Sequence, residues 1–304
     1  MTISVEPARS PVDLRTFVAI GSSVHPGPWP DIPTLEHELA TDARNRFLLA
    51  SLDGVPVGIG VGKPSSIGDA LYAMVRVLPA HRLRGVGTAV LGALSTHAVA
   101  VDRGCLIGRL REDDEASCRF VERRGFAVIS RECPVALDLT RYAARAVEPP
   151  AGVAIVSLAE RPDLQAAAHE VEVETIGDIP VGPEALTPRS FEEWRTETVD
   201  APNALPALSL VALDGDDVVG WSGLAALGDD GVAENQLTGV RRRARGRGVA
   251  TALKREQARR AKEAGLHRIQ TTNDEANAPM RAVNARLGFE AEPVWLLVRG
   301  PLMP

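Results

Sequence analysis

The chain has 304 residues, enough for two ordinary domains, and its 45% hydrophobic and 24% charged residues are typical of a globular protein. A formal net charge of -6 excludes a general nucleic-acid binder, because such a protein needs a broad positive face. Three separated cysteines, Cys105, Cys118 and Cys133, and six scattered histidines predict reduced thiols and no metal site.

The N-terminus, MTISVEPARS, lacks the basic start and apolar core of a secretory signal, so we expect a cytoplasmic protein. Gly85 to Val101 is a run of 17 residues without a formal charge. A membrane span needs about 20 residues, and this run contains glycines and His97. We therefore expect a buried helix here and no membrane partner.

The first half predicts alternating strands and helices in a fixed order. Two apolar runs flank Asp53-Gly54, a dipeptide typical of a hairpin turn. Val90, Leu91 and Leu94 follow a helical spacing. The predicted elements are strands 46–52, 55–62 and 70–77, helix 85–100, strand 105–110, helix 115–124 and closing strands 127–132 and 134–139.

The second half predicts the same order again. Its elements are strands 208–213, 218–227 and 232–240, helix 249–264, strand 267–272, helix 277–287 and strand 294–300. Strands and helices mixed in this way indicate an α/β architecture with helices on both faces of the sheet.

Two short motifs recur with the same separation. RLRGVG (Arg82 to Gly87) and RGRGVA (Arg245 to Ala250) share the pattern R-x-x-G-x-G/A, and each is followed by an RxGF motif. Both landmarks are offset by 163 residues, so the chain is a duplicated domain. The proline-containing segment around Arg145 to Gly152 is the predicted joint, which gives domains 1–146 and 151–304.

Each repeated motif lies between a predicted strand and a predicted helix. The first backbone N–H groups of a helix have no partner within it, and the helix dipole adds positive charge there. Such a joint binds phosphate or pyrophosphate. The alternative is a helix start capped by glycine and surrounded by solvated arginines. Only three of the 34 basic residues are lysine, which makes an arginine run less informative.

These motifs resemble the GCN5-related N-acetyltransferase (GNAT) superfamily, whose members carry R/Q-x-x-G-x-G/A before a helix and a later helix ending in GF. The resemblance implies two tandem GNAT-like domains, each a mixed, mostly antiparallel twisted sheet with helices on both faces. It also implies acetyl-CoA as cofactor, with backbone N–H groups of the strand before the loop facing the thioester. The residues it assigns to the coenzyme are Thr238, Gly239, Val240, Arg245, Gly246, Arg247, Gly248, Val249, Ala250 and Asn277, and in the first copy Arg82, Arg84, Gly85 and Gly87.

The resemblance also suggests how a proton leaves the amine. Glu234 matches the family's general base, whereas the first copy has Leu71 there and is predicted to be catalytically degenerate. Asn284 stands where many members have a tyrosine acid, and an amide does not act as an acid. Two alternatives stay open, since Glu234 also fits an exposed strand end and Asn277 fits a plain helix N-cap.

In the family, the first helices of the domain shape the acceptor pocket. Glu170, Glu174 and Asp178 are spaced to share one side of a helix and its exit, where they would attract a cationic amine; the alternative is a solvated helix face. We expect a small-molecule amine acetylated in the second half of a monomer or small homo-oligomer. The competing hypothesis is a non-catalytic acyl-CoA-binding or structural module.

Overall fold

The structure is a computed structural model that describes residues 1–25, 28–144, 146, 148–228 and 230–303. The first half contains β1 (Ile3–Pro7), α1 (Pro11–Val24), α2 (Ile32–Thr41), β2 (Arg46–Leu52), β3 (Val55–Pro64), β4 (Ala70–Val77), α3 (Val86–Ala100), β5 (Cys105–Arg111), α4 (Glu115–Glu122) and β6 (Ala127–Asp138).

The second half repeats this order with one added short strand. It contains β7 (Val153–Ser157), α5 (Gln165–Ile176), α6 (Phe191–Thr198), β8 (Leu210–Asp214), β9 (Asp217–Leu227), β10 (Val232–Val240), α7 (Val249–Glu263), β11 (Arg268–Asp274), α8 (Ala278–Leu287), β12 (Glu290–Ala291) and β13 (Trp295–Pro301). None of the helices within the described ranges has the length and apolar composition of a membrane span.

The chain divides into two compact units that do not coincide with its two halves. Unit 1 is Met1–Arg131 together with Val294–Pro304, and unit 2 is Glu132–Pro293. This division differs from the predicted domains 1–146 and 151–304, because β13 pairs with β5 and the later part of β6 pairs with β11. Within the predicted joint, Arg145 and Val147 lie outside the described residues.

In unit 1 the strand order is β1-β2-β3-β4-β5-β13. Only β4 and β5 are parallel, and the other pairs are antiparallel. Helices α1 and α2 pack on one face, where Phe17 and Leu35 meet Ile59 of β3. Helix α3 packs on the opposite face, where Val90 meets Ala50.

In unit 2 the strand order is β7-β8-β9-β10-β11-β6, with β12 also paired to β6. Strands β10 and β11 are the parallel pair. Helices α5 and α6 cover one face through Val171 and Trp194, and α7 covers the other through Leu253. The predicted fold, two repeated mixed sheets with helices on both faces, is thereby confirmed.

Local sequence accounts for several element boundaries. The β2–β3 hairpin turns at Asp53 and Gly54, which both have positive φ, as a two-residue turn of this kind requires. Ser10 begins α1 and Ser190 begins α6, and each forms a capping box with the acidic residue three positions later.

Candidate functional site

The loop Arg245–Ala250 of unit 2 joins β10 to α7 through two left-handed residues. Gly246 has φ 76° and Gly248 has φ 86°, a conformation that glycine adopts readily and other residues do not. Gly248 is the N-cap of α7, which starts at Val249. The N–H groups of the first helical turn therefore point out of a loop that carries no side chain at these two positions.

The arginines of this loop are held by hydrogen bonds from both sides. Arg245 donates from Nε to the carbonyl of Val240 (3.0 Å) and from Nη2 to Asp178 Oδ2 (2.6 Å). Arg247 donates to Asp214 Oδ2 at 2.5 Å and to the carbonyl of Ala151 at 3.4 Å. Both side chains remain partly exposed, so they lie within reach of a ligand at the helix N-terminus although each is paired with an aspartate.

The corresponding loop of unit 1 has the same backbone path with different residues. Gly85 has φ 85° and caps α3, and Arg82 donates from Nε to the carbonyl of Val77 at 3.1 Å. The place of Gly246 is taken by Leu83, which has φ 60° and a fully exposed side chain. A branched residue is thus held in a conformation that favours glycine.

We expect Leu83→Gly to raise the free energy of unfolding by about 0.5–1 kcal/mol. The left-handed conformation costs a residue with a Cβ roughly 1–2 kcal/mol, and the greater freedom of glycine in the unfolded chain offsets part of that gain. Urea denaturation would measure the change. Leu83→Ala is the matched control, since alanine keeps the Cβ, and it should leave stability near that of the wild type. If Leu83→Gly were less stable than the wild type, the backbone of Leu83 would not be strained.

The three acidic residues predicted to attract an amine lie against the arginines that precede the loop. Arg241 binds Glu170 (2.9 Å) and Glu174 (3.1 Å), and the backbone N–H of Arg242 donates to Glu174 (2.8 Å).

Asp178 completes the group by bridging two arginines. It accepts hydrogen bonds from Arg242 (2.7 Å) and Arg245 (2.6 Å), which lower the pKa of its carboxyl group. The three carboxylates therefore anchor the end of α5 to the loop. Their charges are neutralised by arginine, and the geometry does not support the predicted attraction of a cationic amine.

Glu234 lies on the face of the sheet that carries α5. Its neighbour Ala233 packs against Ala258 and Ala261 of α7, and successive side chains of a strand point to opposite faces. Glu234 is half-buried. Gly239 faces the same side, because a Cβ there would lie 2.4 Å from Oγ1 of Thr175 in α5. The candidate base and the candidate thioester strand therefore share one face.

Strands β10 and β11 are parallel partners only at their beginnings. Their ladder covers Val232–Glu234 and Arg268–Gln270, while β10 continues along β9 to Val240. A bulge between Asn235 and Leu237 shifts the register of β10 against β9. Bulges bend a strand and change where its side chains and N–H groups point.

A buried polar cluster on the α7 side supports this bulge, and sequence reasoning did not find it. Asn235 donates from Nδ2 to Ser222 Oγ, to Gln257 Oε1 and to the carbonyl of Gly223, each at 3.0 Å. It accepts at Oδ1 from Lys254 Nζ (2.6 Å) and Thr238 Oγ1 (3.0 Å). Thr238 is thus turned toward α7, so only its backbone is available on the α5 face.

Lys254 is the only ionisable member of the cluster formed by Asn235, Ser222, Gln257, Thr238 and Lys254. It is 3% exposed, and burial lowers the pKa of its ammonium group to about 7. Its Nζ also lies 5.3 Å from the centre of the Phe289 ring. A lysine directly after Leu253 in the apolar stripe of α7 is the sequence signal that would have identified it.

The two asparagines near α8 have structural partners. Asn277 caps the helix, its Oδ1 accepting from the N–H of Met280 at 3.3 Å. Asn284 is 1% exposed and donates from Nδ2 to Asn273 Oδ1 at 2.6 Å. Among the described residues, Oδ1 of Asn284 has no partner. Both coenzyme and catalytic roles for these residues remain predictions.

Together these features make one chemically coherent face in unit 2. The loop offers the N–H groups of a helix N-terminus to a phosphate, the part of β10 beyond its ladder with β11 offers backbone donors, and Glu234 carries a carboxylate on the same face. The described histidine, cysteine and acidic side chains form no group of three suited to a metal ion.

A model of the acetyltransferase (GNAT) family matches residues 15–126 and 179–289, more than half of the chain and both repeats. Curated proteins gave no significant match to the sequence.

Solved structures share the fold over nearly the full length. A GCN5-related N-acetyltransferase from Sphaerobacter thermophilus has a TM-score of 0.77 at 20% identity, covering 99% of this chain and 96% of its own. A tandem GNAT protein from the clavulanic acid biosynthesis pathway has a TM-score of 0.73 at 21% identity, covering 100% of this chain and 99% of its own.

Proposed function

The chain belongs to the GNAT acetyltransferase family, and on that premise we propose that it transfers an acetyl group from acetyl-CoA to a primary amine of a small molecule. We propose unit 2 as the catalytic unit. The observation that carries this choice is the shared face on which Glu234 and Gly239 lie in unit 2. In unit 1 the strand ladders align Glu234 with Tyr72 and not with the predicted Leu71, because the bulge of β10 has no counterpart in β4, and neither residue carries a carboxylate.

The residues of the loop fit a pyrophosphate. Gly246 and Gly248 leave the backbone open to a close ligand, and a Cβ at Gly246 would meet no atom within 4 Å. In the proposed complex, N–H groups of Val249 and Ala250 bind the phosphate oxygens, and Arg247 turns from Asp214 to the phosphate. The pantetheine arm runs along Leu237–Val240, where backbone N–H groups stabilise the oxyanion of the tetrahedral intermediate.

Glu234 serves as the general base. It accepts a proton from the substrate ammonium group, directly or through water, because only the neutral amine has an electron pair to attack. The amine nitrogen then bonds to the thioester carbon, the carbon–sulfur bond breaks, and the sulfur leaves as thiolate. The second proton of the nitrogen passes to solvent or to the thiolate.

One observation favours a second candidate function, a non-catalytic acyl-CoA-binding module. Asn284 occupies the position of the family's tyrosine and is 1% exposed, so it offers no acid to the leaving sulfur. Coenzyme A release, measured over a panel of small amines with acetyl-CoA, separates the two candidates. Turnover on any amine supports the transferase, whereas tight acetyl-CoA binding without turnover supports the module.

We expect Gly248→Ala to weaken acetyl-CoA binding by at least about tenfold, because a Cβ at φ 86° distorts the loop that presents the N–H groups. Gly85→Ala is a closely matched control, since Gly85 caps α3 at φ 85°. Calorimetric titration of acetyl-CoA into both variants measures the difference. Loss of binding only in Gly85→Ala would assign the coenzyme to unit 1 and overturn the choice of unit 2.

A further inference from the structure

A gap opens in the sheet of unit 1 where β4 and β5 stop pairing. Their parallel ladder covers Ala70–Tyr72 and Cys105–Ile107. Beyond it, β4 continues along β3 and β5 continues along β13. The remaining length of each strand therefore has a backbone edge that faces the gap.

Arg76 of β4 projects from this part of the strand to the face that carries α1. Its partner across the ladder is Ile59, and both Ile59 and the nearby Met74 pack in the core with α1. Among the described residues, Nε of Arg76 is buried and has no hydrogen-bond partner. An N–H group held away from water without a partner is unfavourable, and an acceptor atom of a ligand would satisfy it.

Aromatic and cationic groups surround the same place. His25 follows the C-terminus of α1, and its ring contacts the Trp295 indole edge-on at 5.2 Å between ring centres. Trp295 lies opposite Arg111 in the β13–β5 ladder. Burial, followed by the charges of Arg76 and Arg111, lowers the pKa of His25, so these cations lie close to its ring.

The neighbouring carboxylates already have other partners. Asp113 binds Arg111 through two hydrogen bonds of 2.8 and 2.6 Å. Asp114 is near enough to influence Arg76, but it caps α4 by accepting from the N–H (3.1 Å) and Oγ (2.6 Å) of Ser117. Arg111 is therefore bonded directly to a carboxylate. Arg76, in contrast, lies near Tyr72 and Asp114, which favour its charged form, and its Nε has no hydrogen-bond partner among the described residues.

Unit 2 has no counterpart of this arginine. The 163-residue offset aligns Arg76 with Gly239, where a side chain would collide with Thr175. The two units thus differ at the strand end in a way that changes what each can bind. At this position unit 2 has Gly239, which has only backbone atoms, and unit 1 has Arg76, a cation with aromatic neighbours.

We propose that unit 1 binds a small carboxylate on Arg76, with a flat apolar group of the ligand against His25 and Trp295. The planar guanidinium fork matches the two oxygens of a carboxylate, and the rings supply apolar surface for the rest of the ligand. This site is separate from the proposed acetyl transfer, and its existence does not depend on that function.

Benzoate is the probe for this site, titrated calorimetrically into the full chain. We expect it to bind the wild type and to bind Arg76→Met at least about tenfold more weakly, with Arg76→Lys in between because lysine lacks the fork. Arg123→Met, which removes an exposed arginine of unit 1, should bind like the wild type. Benzamide, the neutral isostere, should not bind.

A second measurement uses only the wild type, in case Arg76→Met does not fold. Bound benzoate places a negative charge beside His25, so its pKa, followed by NMR, should rise on saturation. The proposal would be overturned if the pKa of His25 did not change, or if wild type and Arg76→Met bound benzoate equally well. It would also be overturned if the site bound inorganic phosphate in place of benzoate. Displacement of benzoate by acetyl-CoA would also overturn it, since Arg76 would then belong to a second coenzyme site.

Discussion

Glu234→Gln is expected to lower kcat by roughly 100-fold or more while leaving the Kd of acetyl-CoA unchanged. Glutamine keeps the size and one acceptor of the glutamate but takes up no proton at working pH, so only the proton-transfer step is removed. Steady-state coenzyme A release gives kcat, and calorimetric titration gives the Kd. Because the proposed base acts on the amine and not on the coenzyme, the two measurements should separate.

Glu36→Gln is the control for this experiment. Glu36 is an exposed glutamate in α2 of unit 1, and its substitution should change neither quantity. Unchanged turnover in Glu234→Gln would remove Glu234 as the base. A parallel loss of acetyl-CoA binding would instead give Glu234 a structural role in β10.

Lys254→Met should make the free energy of unfolding less dependent on pH. Burial lowers the pKa of Lys254 from 10.5 to about 7 in the folded protein. Below pH 7 the lysine is charged in both states, and the folded state carries the full cost of a buried charge. As pH rises from about 7 toward 10.5, only the unfolded state keeps the proton, so the wild type gains about 1.4 kcal/mol of stability per pH unit.

The methionine variant lacks this gain, and its advantage over the wild type should shrink by roughly 2–3 kcal/mol between pH 7 and about pH 9. Loss of the hydrogen bond to Asn235 subtracts about 1 kcal/mol at every pH. Urea denaturation at several pH values measures the difference. Lys262→Met, on the same helix, removes bonds to the carbonyls of Tyr142 and Thr140 and should show no such slope. If the difference in unfolding free energy between Lys254→Met and the wild type did not change with pH, the pKa of Lys254 would be the same in the folded and unfolded states.

Sequence alone was sufficient for the repeated architecture and for the position of the loops. The paired R-x-x-G-x-G/A motifs fell between a strand and a helix in both units, because glycine marks the left-handed positions that start such helices. The hairpin at Asp53-Gly54 was predicted for the same reason. These are local features, determined by a few consecutive residues.

The features that were missed depend on contacts distant in sequence. The spacing of Glu170, Glu174 and Asp178 predicted a shared side, but it did not reveal that arginines about 65–70 residues later would bind them. The bulge at Asn235 and its bond to Lys254 likewise join two elements whose meeting is set by the fold. An apolar strand pattern also does not specify its neighbour, so the pairing of β13 with β5 was not predicted.

The exchanged strands make the two repeats interdependent as folding units. A fragment starting at Ala151 would carry β13 without β5, and its β11 would lose β6 and present an open sheet edge. The complementary fragment, ending before Ala151, would lack β13, the partner of β5, and β11, the partner of β6. Neither half of the duplicated sequence therefore encodes a complete sheet, and dividing the chain at the linker would not give two independently folding domains.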